Sequence, residues 1–146
     1  MTPSEYQNPI LCADYSDPDI VRVGDDFFMV SSSFNHVPAL PILHSTDLVN
    51  WTIINHVMDE LPLPGYDRYQ PGKGVWAPSI RWHDGKLWVC FSTPDEGIFI
   101  CHTEDPWGEW SAPHCLREAR GWIDPCPFWD DNGQAWLVHA LSLIHI

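Results

Sequence analysis

The strongest constraint in the sequence is a unit that occurs three times and has the features of a β-hairpin each time. A dipeptide ending in proline opens each unit: Asp17-Pro18, Ala77-Pro78 and Asp124-Pro125. A short apolar run, a turn and a second apolar run follow, and the turns are Gly24-Asp25-Asp26, His83-Asp84-Gly85 and Asp130-Asp131-Asn132-Gly133. The runs are rich in β-branched and aromatic residues, which favour strands, and Asp-Gly or Asn-Gly between such runs indicates a hairpin. The sequence therefore predicts a repeated hairpin.

The spacing of the repeat predicts how the hairpins assemble. Pro18, Pro78 and Pro125 lie 60 and 47 residues apart. A second repeated piece, residues 45–51 and 102–110, places an Asp after a strand and a Trp a few residues later. Four-stranded units with a period of about 40–50 residues are typical of propeller blades. No stretch keeps a helical period for three turns, and the 14 Pro would break most helices. We predict an all-β chain; a β-sandwich with coincidental Asp-Pro turns is the alternative.

The repeat also divides the chain. Residues 1–140 hold two blades and the first hairpin of a third, and a propeller needs at least about four blades to close. We therefore expect a truncated propeller that is inactive and poorly soluble alone, because an open stack leaves strand edges exposed. The apolar residues 141–146 follow residues 135–140 without a turn. We expect these six residues to be a non-native tail.

Charge and cysteine content narrow the partners and the compartment. The 7 Lys+Arg and 20 Asp+Glu give a net charge of −13, which disfavours nucleic acid and anionic membranes but not neutral sugars. The 5 Cys are an odd number without CxxC spacing, and no charged leader or membrane-length apolar run is present. We expect a cytoplasmic protein with reduced thiols. The 9 Trp fill a core, line a sugar site, or do both.

Two carboxylates stand at equivalent positions of the repeat. Asp17 and Asp124 precede Pro in the first and third units, and Ala77 takes that position in the second, so the turn itself does not require a carboxylate. Propeller symmetry brings equivalent positions together around the channel, where paired carboxylates suit glycoside chemistry. If the strand already runs there, alternation puts Asp19 on the same side as Asp17.

The order of several short motifs resembles that of glycoside hydrolase family 43, most of all the members called β-xylosidases and α-L-arabinofuranosidases. The motifs are Asn8-Pro9-Ile10-Leu11, Ser16-Asp17-Pro18-Asp19-Ile20, Val23-Gly24-Asp25-Asp26-Phe27-Phe28, Ser32-Ser33-Phe34, Pro41-Ile42-Leu43-His44-Ser45, Asp47-Leu48-Val49-Asn50-Trp51, Gly74-Val75-Trp76-Ala77-Pro78-Ser79-Ile80 and Ile123-Asp124-Pro125. The resemblance implies a five-bladed β-propeller with a pocket over its channel. It also implies hydrolysis, with inversion, of terminal xylose or arabinose in xylo- or arabino-oligosaccharides.

The resemblance also implies roles for particular residues. Asp17 matches the general base, and Asp124 matches the carboxylate that adjusts the pKa of the acid and holds it in place. Phe34, Trp76 and Ala77 match the wall around the terminal sugar. The general acid is a Glu on a later blade, and no residue here matches its motif. Pro38-Ala39 departs from the Pro-Gly of many relatives, which affects only the shape of that loop.

No cofactor is expected. Some relatives hold a cation in the central channel, but the sequence shows no ligand set for one: His36, His44, His56 and His83 lack paired ligand spacing. Two other functions remain open, a non-catalytic propeller that binds glycans and a scaffold for protein interactions. An acidic Glu motif on a later blade favours the enzyme, whereas aromatics lying on an outer rim favour the scaffold.

Overall fold

The computed structural model describes residues 5–142, which form ten strands and no helix. The strands are β1 (Asp19–Val23), β2 (Asp26–Val30), β3 (Ala39–Ser45), β4 (Thr52–Met58), β5 (Trp76–His83), β6 (Lys86–Thr93), β7 (Gly97–Thr103), β8 (His114–Glu118), β9 (Trp122–Trp129) and β10 (Ala135–Leu141). Within this part of the chain there is thus no helix that could cross a membrane.

The strands form two four-stranded sheets and one hairpin. Strands β1-β2-β3-β4 make the first antiparallel sheet, β5-β6-β7-β8 make the second, and β9 pairs with β10. Each sheet follows chain order, as a propeller blade does. The predicted two blades and first hairpin of a third are confirmed, and we call them blade 1, blade 2 and the third-blade hairpin.

Turn chemistry explains why the hairpins form where the sequence places them. Asp84 and Gly85 join β5 to β6 with φ of 49° and 74°, the two positive values that a tight hairpin turn needs. The second repeated piece forms the connection from the third to the fourth strand of each blade. In blade 1 the Asp47 N–H donates to Ser45 Oγ (3.1 Å), and in blade 2 the Asp105 N–H donates to Thr103 Oγ1 (3.1 Å).

The blades pack side by side along their first strands. Strand β1 contacts β5, and β5 contacts β9, so these three inner strands lie next to one another. The middle strands of blades 1 and 2 supply most of the buried core. In blade 2, burial raises the pKa of the Cys90 and Cys101 thiols to about 12. Because each four-stranded sheet follows chain order and neighbouring units contact one another through their first strands, the sheets are arranged as propeller blades, and the β-sandwich alternative is wrong.

The third-blade hairpin is less covered than the two complete sheets. Its exposed apolar side chains are Phe128, Trp136, Val138 and Leu141. Strand β10 continues through Leu141, and the Ser142 N–H donates to the Gly121 carbonyl (2.7 Å). The rest of the expected tail, residues 143–146, lies outside the described residues, so its non-native origin stays a prediction.

Candidate active site

The same β-bulge opens the inner strand of each unit. In blade 2, Trp76 and Ser79 lie opposite Ser92 and Cys90, so three residue steps on β5 face two on β6. The other two units repeat this offset. Ile123 and Cys126 lie opposite Ala140 and Val138; Asp19 lies opposite Val30, and the Ser16 carbonyl accepts from the Ser32 N–H. The extra residue falls each time at the dipeptide that ends in proline, and bulges of this kind re-aim side chains beside active sites.

The residue before each proline adopts a left-handed backbone. The φ values are 50° at Asp17, 29° at Ala77 and 54° at Asp124. This conformation is uncommon for residues other than glycine, although Asp is enriched in it. The three side chains therefore leave the strand alternation at the same point of each unit. The repeat predicted that these positions are equivalent, and the structure adds the bulge that makes them so.

Ser32 joins the first two of these positions. Its hydroxyl donates to Asp17 Oδ2 (2.7 Å) and accepts from the Ala77 N–H (2.9 Å). Ser32 is buried, with 4% of its surface exposed, whereas Asp17 is exposed. One carboxylate oxygen of Asp17 is thus fixed from the protein side, and the residue as a whole stays within reach of solvent.

Asp124 lies close enough to Asp17 for the two charges to interact. Partial burial raises the pKa of the Asp124 carboxyl, and the negative charge of Asp17 raises it further. The Asp124 carboxyl on the third-blade hairpin is therefore within reach of the charge of Asp17 on blade 1. Their catalytic roles stay predictions at this point.

Phe34 and Trp76 form an aromatic corner next to the carboxylates. Their ring centroids are 5.8 Å apart, and the planes meet at 80°. Trp76 immediately precedes Ala77, whose N–H is held by Ser32, so the corner is tied to the Asp17 carboxylate. The Trp76 indole N–H also donates to the Gly72 carbonyl (3.0 Å). Hydrogen bonds and ring packing thus connect four of the five predicted site residues, Asp17, Phe34, Trp76 and Ala77. The fifth, Asp124, interacts with Asp17 through its charge.

The condition for placing Asp19 on the same side as Asp17 is not met, because the strand does not yet run at Asp17. Strand β1 begins at Asp19, and the bulge at Asp17-Pro18 breaks the alternation on which the expectation depended. Asp19 Oδ2 instead accepts from the Ile80 N–H (2.8 Å) and from Arg81 Nη1 (2.5 Å) on blade 2. Arg81 Nη2 also lies 2.9 Å from Cys126 Sγ, and this one guanidinium therefore contacts all three inner strands.

Among the described residues, one arginine side chain lies between the inner strands. Arg81 places a permanent positive charge between β1, β5 and β9. Residues 5–142 contain no group of three His, Cys, Asp or Glu side chains that could hold a metal ion. Two of the histidines have other contacts instead: His44 Nε2 lies 2.7 Å from Asp26 Oδ1, and the His83 ring stacks on Trp129 at 4.2 Å.

Sequence reasoning did not identify Ser32 or Arg81 as important. Ser32 lies in a run of three serines directly after a buried strand, and buried hydroxyls need partners. That run was a usable signal. For Arg81 the sequence offers none, because its partners come from two other units whose docking only the fold defines.

Comparisons with known proteins show which proteins this chain is similar to. The family model described as Glycosyl hydrolases family 43 matches residues 6–143. A xylosidase/arabinosidase from Butyrivibrio fibrisolvens is 42% identical over 90% of this chain and 26% of its own length. A non-reducing end alpha-L-arabinofuranosidase from Bacteroides ovatus is 38% identical over 82% of this chain and 23% of its own length.

A solved structure shows the same fold. The crystal structure of a GH43_12 protein retrieved from capybara gut metagenome superimposes with a TM-score of 0.79 and 39% identity, over 88% of this chain and 25% of that chain. The chain spans about a quarter of the length of the curated relatives it matches. The predicted all-β propeller class is confirmed.

Proposed function

The chain belongs to glycosyl hydrolases family 43, and on that premise we propose that it is the front part of an enzyme that removes terminal xylose or arabinose, with inversion, from neutral plant oligosaccharides. Two of its similar proteins are named as a xylosidase/arabinosidase and an arabinofuranosidase, which supports a pentose as the sugar removed. The net charge of −13 supports an uncharged substrate.

One observation carries the proposal. Asp17 and Asp124 come from separate units of the propeller, and yet the charge of one raises the pKa of the other. Asp17 is linked through Ser32 and the Ala77 N–H to the Phe34–Trp76 corner, whose aromatic faces can stack on the apolar face of a sugar ring. Inverting glycoside hydrolysis uses a carboxylate base and a carboxylic acid; in this proposal Asp17 is the base, and Asp124 supports the acid.

In the proposed reaction Asp17 is the general base. The Ser32 hydroxyl occupies Asp17 Oδ2, so Oδ1 can accept a proton from a water molecule. That water adds to the anomeric carbon from the face opposite the leaving oxygen. As the new C–O bond forms and the old one breaks, Asp17 takes the proton of the water. Inverting enzymes keep base and acid roughly 6.5–9.5 Å apart to leave room for this water.

Asp124 acts through a proton donor rather than on the water. The family resemblance assigns that donor to a Glu on a further blade, and it would protonate the leaving oxygen. A neighbouring carboxylate disfavours ionisation of such a Glu, which keeps it protonated at the working pH. We therefore expect residues 1–146 alone to be inactive, because a missing general acid commonly costs roughly 10²–10⁴-fold in rate.

The test uses an enzyme with all its blades. We define the completed enzyme as residues 6–142 in place of the corresponding span of the Butyrivibrio fibrisolvens relative. We expect Asp17→Asn to lower kcat on pentosyl disaccharides by roughly 10²–10⁴-fold, because the base is lost. Asp14→Asn is the matched control, since it removes an exposed carboxylate three residues away; it should retain the parental kcat.

Two further readouts separate the roles. If Asp124 acts through the acid, Asp124→Asn should slow a disaccharide more than a pentosyl fluoride, since fluoride needs little protonation to leave. Proton NMR of the first product should show the anomer inverted from the substrate. Full activity of Asp17→Asn contradicts the proposal. A completed enzyme that binds the disaccharide without cleaving it supports the glycan-binding alternative.

A further inference from the structure

Arg81 lies on the inner strand of blade 2 and bonds both neighbouring units. Its Nη1 donates to Asp19 Oδ2 on β1 (2.5 Å), and its Nη2 donates to Cys126 Sγ on β9 (2.9 Å). A guanidinium is planar, and its N–H donors have fixed relative positions. One guanidinium that bonds two strands therefore limits how far apart those strands can lie.

The two partners of Arg81 occupy the same position of the repeat. Asp19 follows Asp17 by two residues, and Cys126 follows Asp124 by two residues. Each partner is the first paired residue after the bulge, opposite the second strand of its hairpin. Arg81 thus holds blade 1 and the third-blade hairpin at matching points, directly after each strand presents its site carboxylate.

The blade itself does not require an arginine at this position. Four residues after the left-handed position of each unit, blade 1 has Val21 and the third-blade hairpin has Phe128, whereas blade 2 has Arg81. An apolar side chain is therefore compatible with the sheet here. The ion pair that Arg81 makes is partly exposed, and pairs of this kind add little to stability. What distinguishes Arg81 is that it bonds two units at once.

The effect of Arg81 on the site is one of position rather than of charge. Asp19 Oδ2 accepts from the Ile80 N–H (2.8 Å) as well as from Arg81, so this carboxylate is fixed against blade 2. Its negative charge offsets the positive charge of the guanidinium in contact with it. Two opposite charges in contact exert little net field on a third group further away.

The two site carboxylates depend on Arg81 to different degrees. Asp17 has a bond of its own to blade 2, because Ser32 joins it to the backbone there. Asp124 lies two residues before Cys126, at which Arg81 bonds the third-blade hairpin. Removing Arg81 should therefore displace Asp124 more than Asp17.

From these contacts we infer that Arg81 is a positioning residue that acts through Asp124. Its guanidinium holds the third-blade hairpin at the separation from blade 1 at which Asp124 supports the general acid. The inference rests on the proposed function, and it adds a residue that controls the acid side of the reaction without belonging to the carboxylate pair.

The experiment compares two substrates of the completed enzyme, a pentosyl disaccharide and the fluoride of the same pentose, which needs little protonation to leave. Arg81→Met should lower kcat for the disaccharide about tenfold and leave kcat for the fluoride unchanged. A misplacement of about 1 Å can cost up to about 10²-fold, and the bond from Ser79 Oγ to the Pro125 carbonyl (2.7 Å) limits the shift.

Three variants separate position from charge and from a general loss of structure. Arg81→Lys keeps the charge but has one nitrogen in place of the fork, so it should behave like Arg81→Met. Arg22→Met is the matched control, because Arg22 lies on inner strand β1 and bonds only nearby groups, the Gly24 carbonyl and Asp25. It should match the parent on both substrates. In an Asp124→Asn background, Arg81→Met should cause no further loss on the disaccharide.

A milder pair of variants decides the matter if Arg81 is needed for folding. Cys126→Ala removes the sulfur that accepts from Arg81 and should lower kcat for the disaccharide alone, about threefold, as for one weak hydrogen bond. Cys126→Ser keeps an acceptor at this position and should retain the parental kcat.

The results that refute the inference differ from failure of the proposed function. In an active parent, the inference alone is refuted if Arg81→Met and Cys126→Ala slow both substrates alike or neither. It is also refuted if Arg81→Lys restores kcat, since charge would then be sufficient, or if Arg81→Met slows the Asp124→Asn enzyme as much as it slows the parent. A parent that hydrolyses neither substrate refutes the proposed function, and with it the inference.

Discussion

Ser32 offers the sharpest test of how the site is held together, because an equivalent serine on the next blade lacks its bonds. The bulge register places Ser32 of blade 1 and Ser92 of blade 2 at the same position of the repeat. Ser32 Oγ bonds both Asp17 and the Ala77 N–H. Ser92 Oγ is also buried, but it has no hydrogen-bond partner among residues 5–142. Replacing each serine by alanine therefore removes the same atom from two sites that differ in bonding.

The expected cost of Ser32→Ala follows from its two bonds. The Ala77 N–H would lose its acceptor, and an unsatisfied buried donor costs about 1–3 kcal/mol. The Asp17 carboxylate is exposed, so water replaces the lost donor there and adds little to the cost in stability. The loss of the Ser32 hydroxyl also removes the bond that orients the Asp17 carboxylate. A hydrogen bond to a charged group contributes about 1.5 kcal/mol at the low end, and a loss of this size in transition-state stabilisation corresponds to about a tenfold lower kcat.

The assay measures both quantities on the completed enzyme. Urea unfolding followed by tryptophan fluorescence gives the change in stability, and turnover of a pentosyl fluoride gives kcat. Ser92→Ala should be neutral or slightly stabilising, because it removes a hydroxyl that is buried without a partner. Ser32→Thr keeps the hydroxyl and should retain most of the activity. Equal destabilisation by Ser32→Ala and Ser92→Ala, or parental kcat in Ser32→Ala, would refute the reasoning.

Two other predictions follow from the charges. Folding raises the pKa of the Asp124 carboxyl above its ordinary value of 3.8. The contribution of this carboxyl to the free energy of unfolding is therefore fully present at pH values below 3.8, and it is lost as the pH rises through the raised pKa. Asp124→Asn should therefore gain melting temperature relative to the parent at about pH 7 but not at about pH 3, and an equal difference at both values would contradict this sign. The Arg81–Asp19 ion pair is about one-third exposed on each side, so solvent screens it. A double-mutant cycle with Arg81→Met and Asp19→Asn should give a coupling of about 1 kcal/mol, and a coupling near zero would show that the pair does not tie blade 1 to blade 2.

The sequence was sufficient to predict the hairpins and the equivalence of Asp17 and Asp124 in the repeat. Turn residues such as Asp84 and Gly85 act locally, so their effect can be inferred without knowing the fold. Asp17 and Asp124 could be paired because a repeat converts sequence position into spatial position. The alternation argument did not apply to Asp19, because alternation fails at a bulge and nothing in the sequence of one strand specifies the register of its partner.

Contacts between units were the part that the sequence did not reveal. Asp19 and Ser79 occupy the same position of successive units, and each bonds the backbone of the next unit: Asp19 Oδ2 accepts from the Ile80 N–H, and Ser79 Oγ donates to the Pro125 carbonyl (2.7 Å). The side chains and the bonded backbone groups both differ, an amide N–H in one case and a carbonyl in the other, but each bond joins one inner strand to the next. A carboxylate and a hydroxyl at one repeat position look unrelated in sequence, and their common role appears only when the inner strands are placed side by side.

The repeated bulge explains how a structural repeat can carry different chemistry in each unit. A residue other than glycine in the left-handed conformation costs about 1–2 kcal/mol, and the scaffold imposes that conformation at Asp17, Ala77 and Asp124 alike. Ala77 has no carboxylate and still adopts this conformation, so the strain arises from the bulge and not from the need to orient an acidic side chain. Glycine would relieve it, but glycine offers no side chain to a substrate, whereas Asp tolerates the conformation better than most residues. The blade geometry therefore turns one side chain per unit out of the inner-strand alternation, and the residue type at that position decides whether the unit carries a carboxylate or a methyl group there.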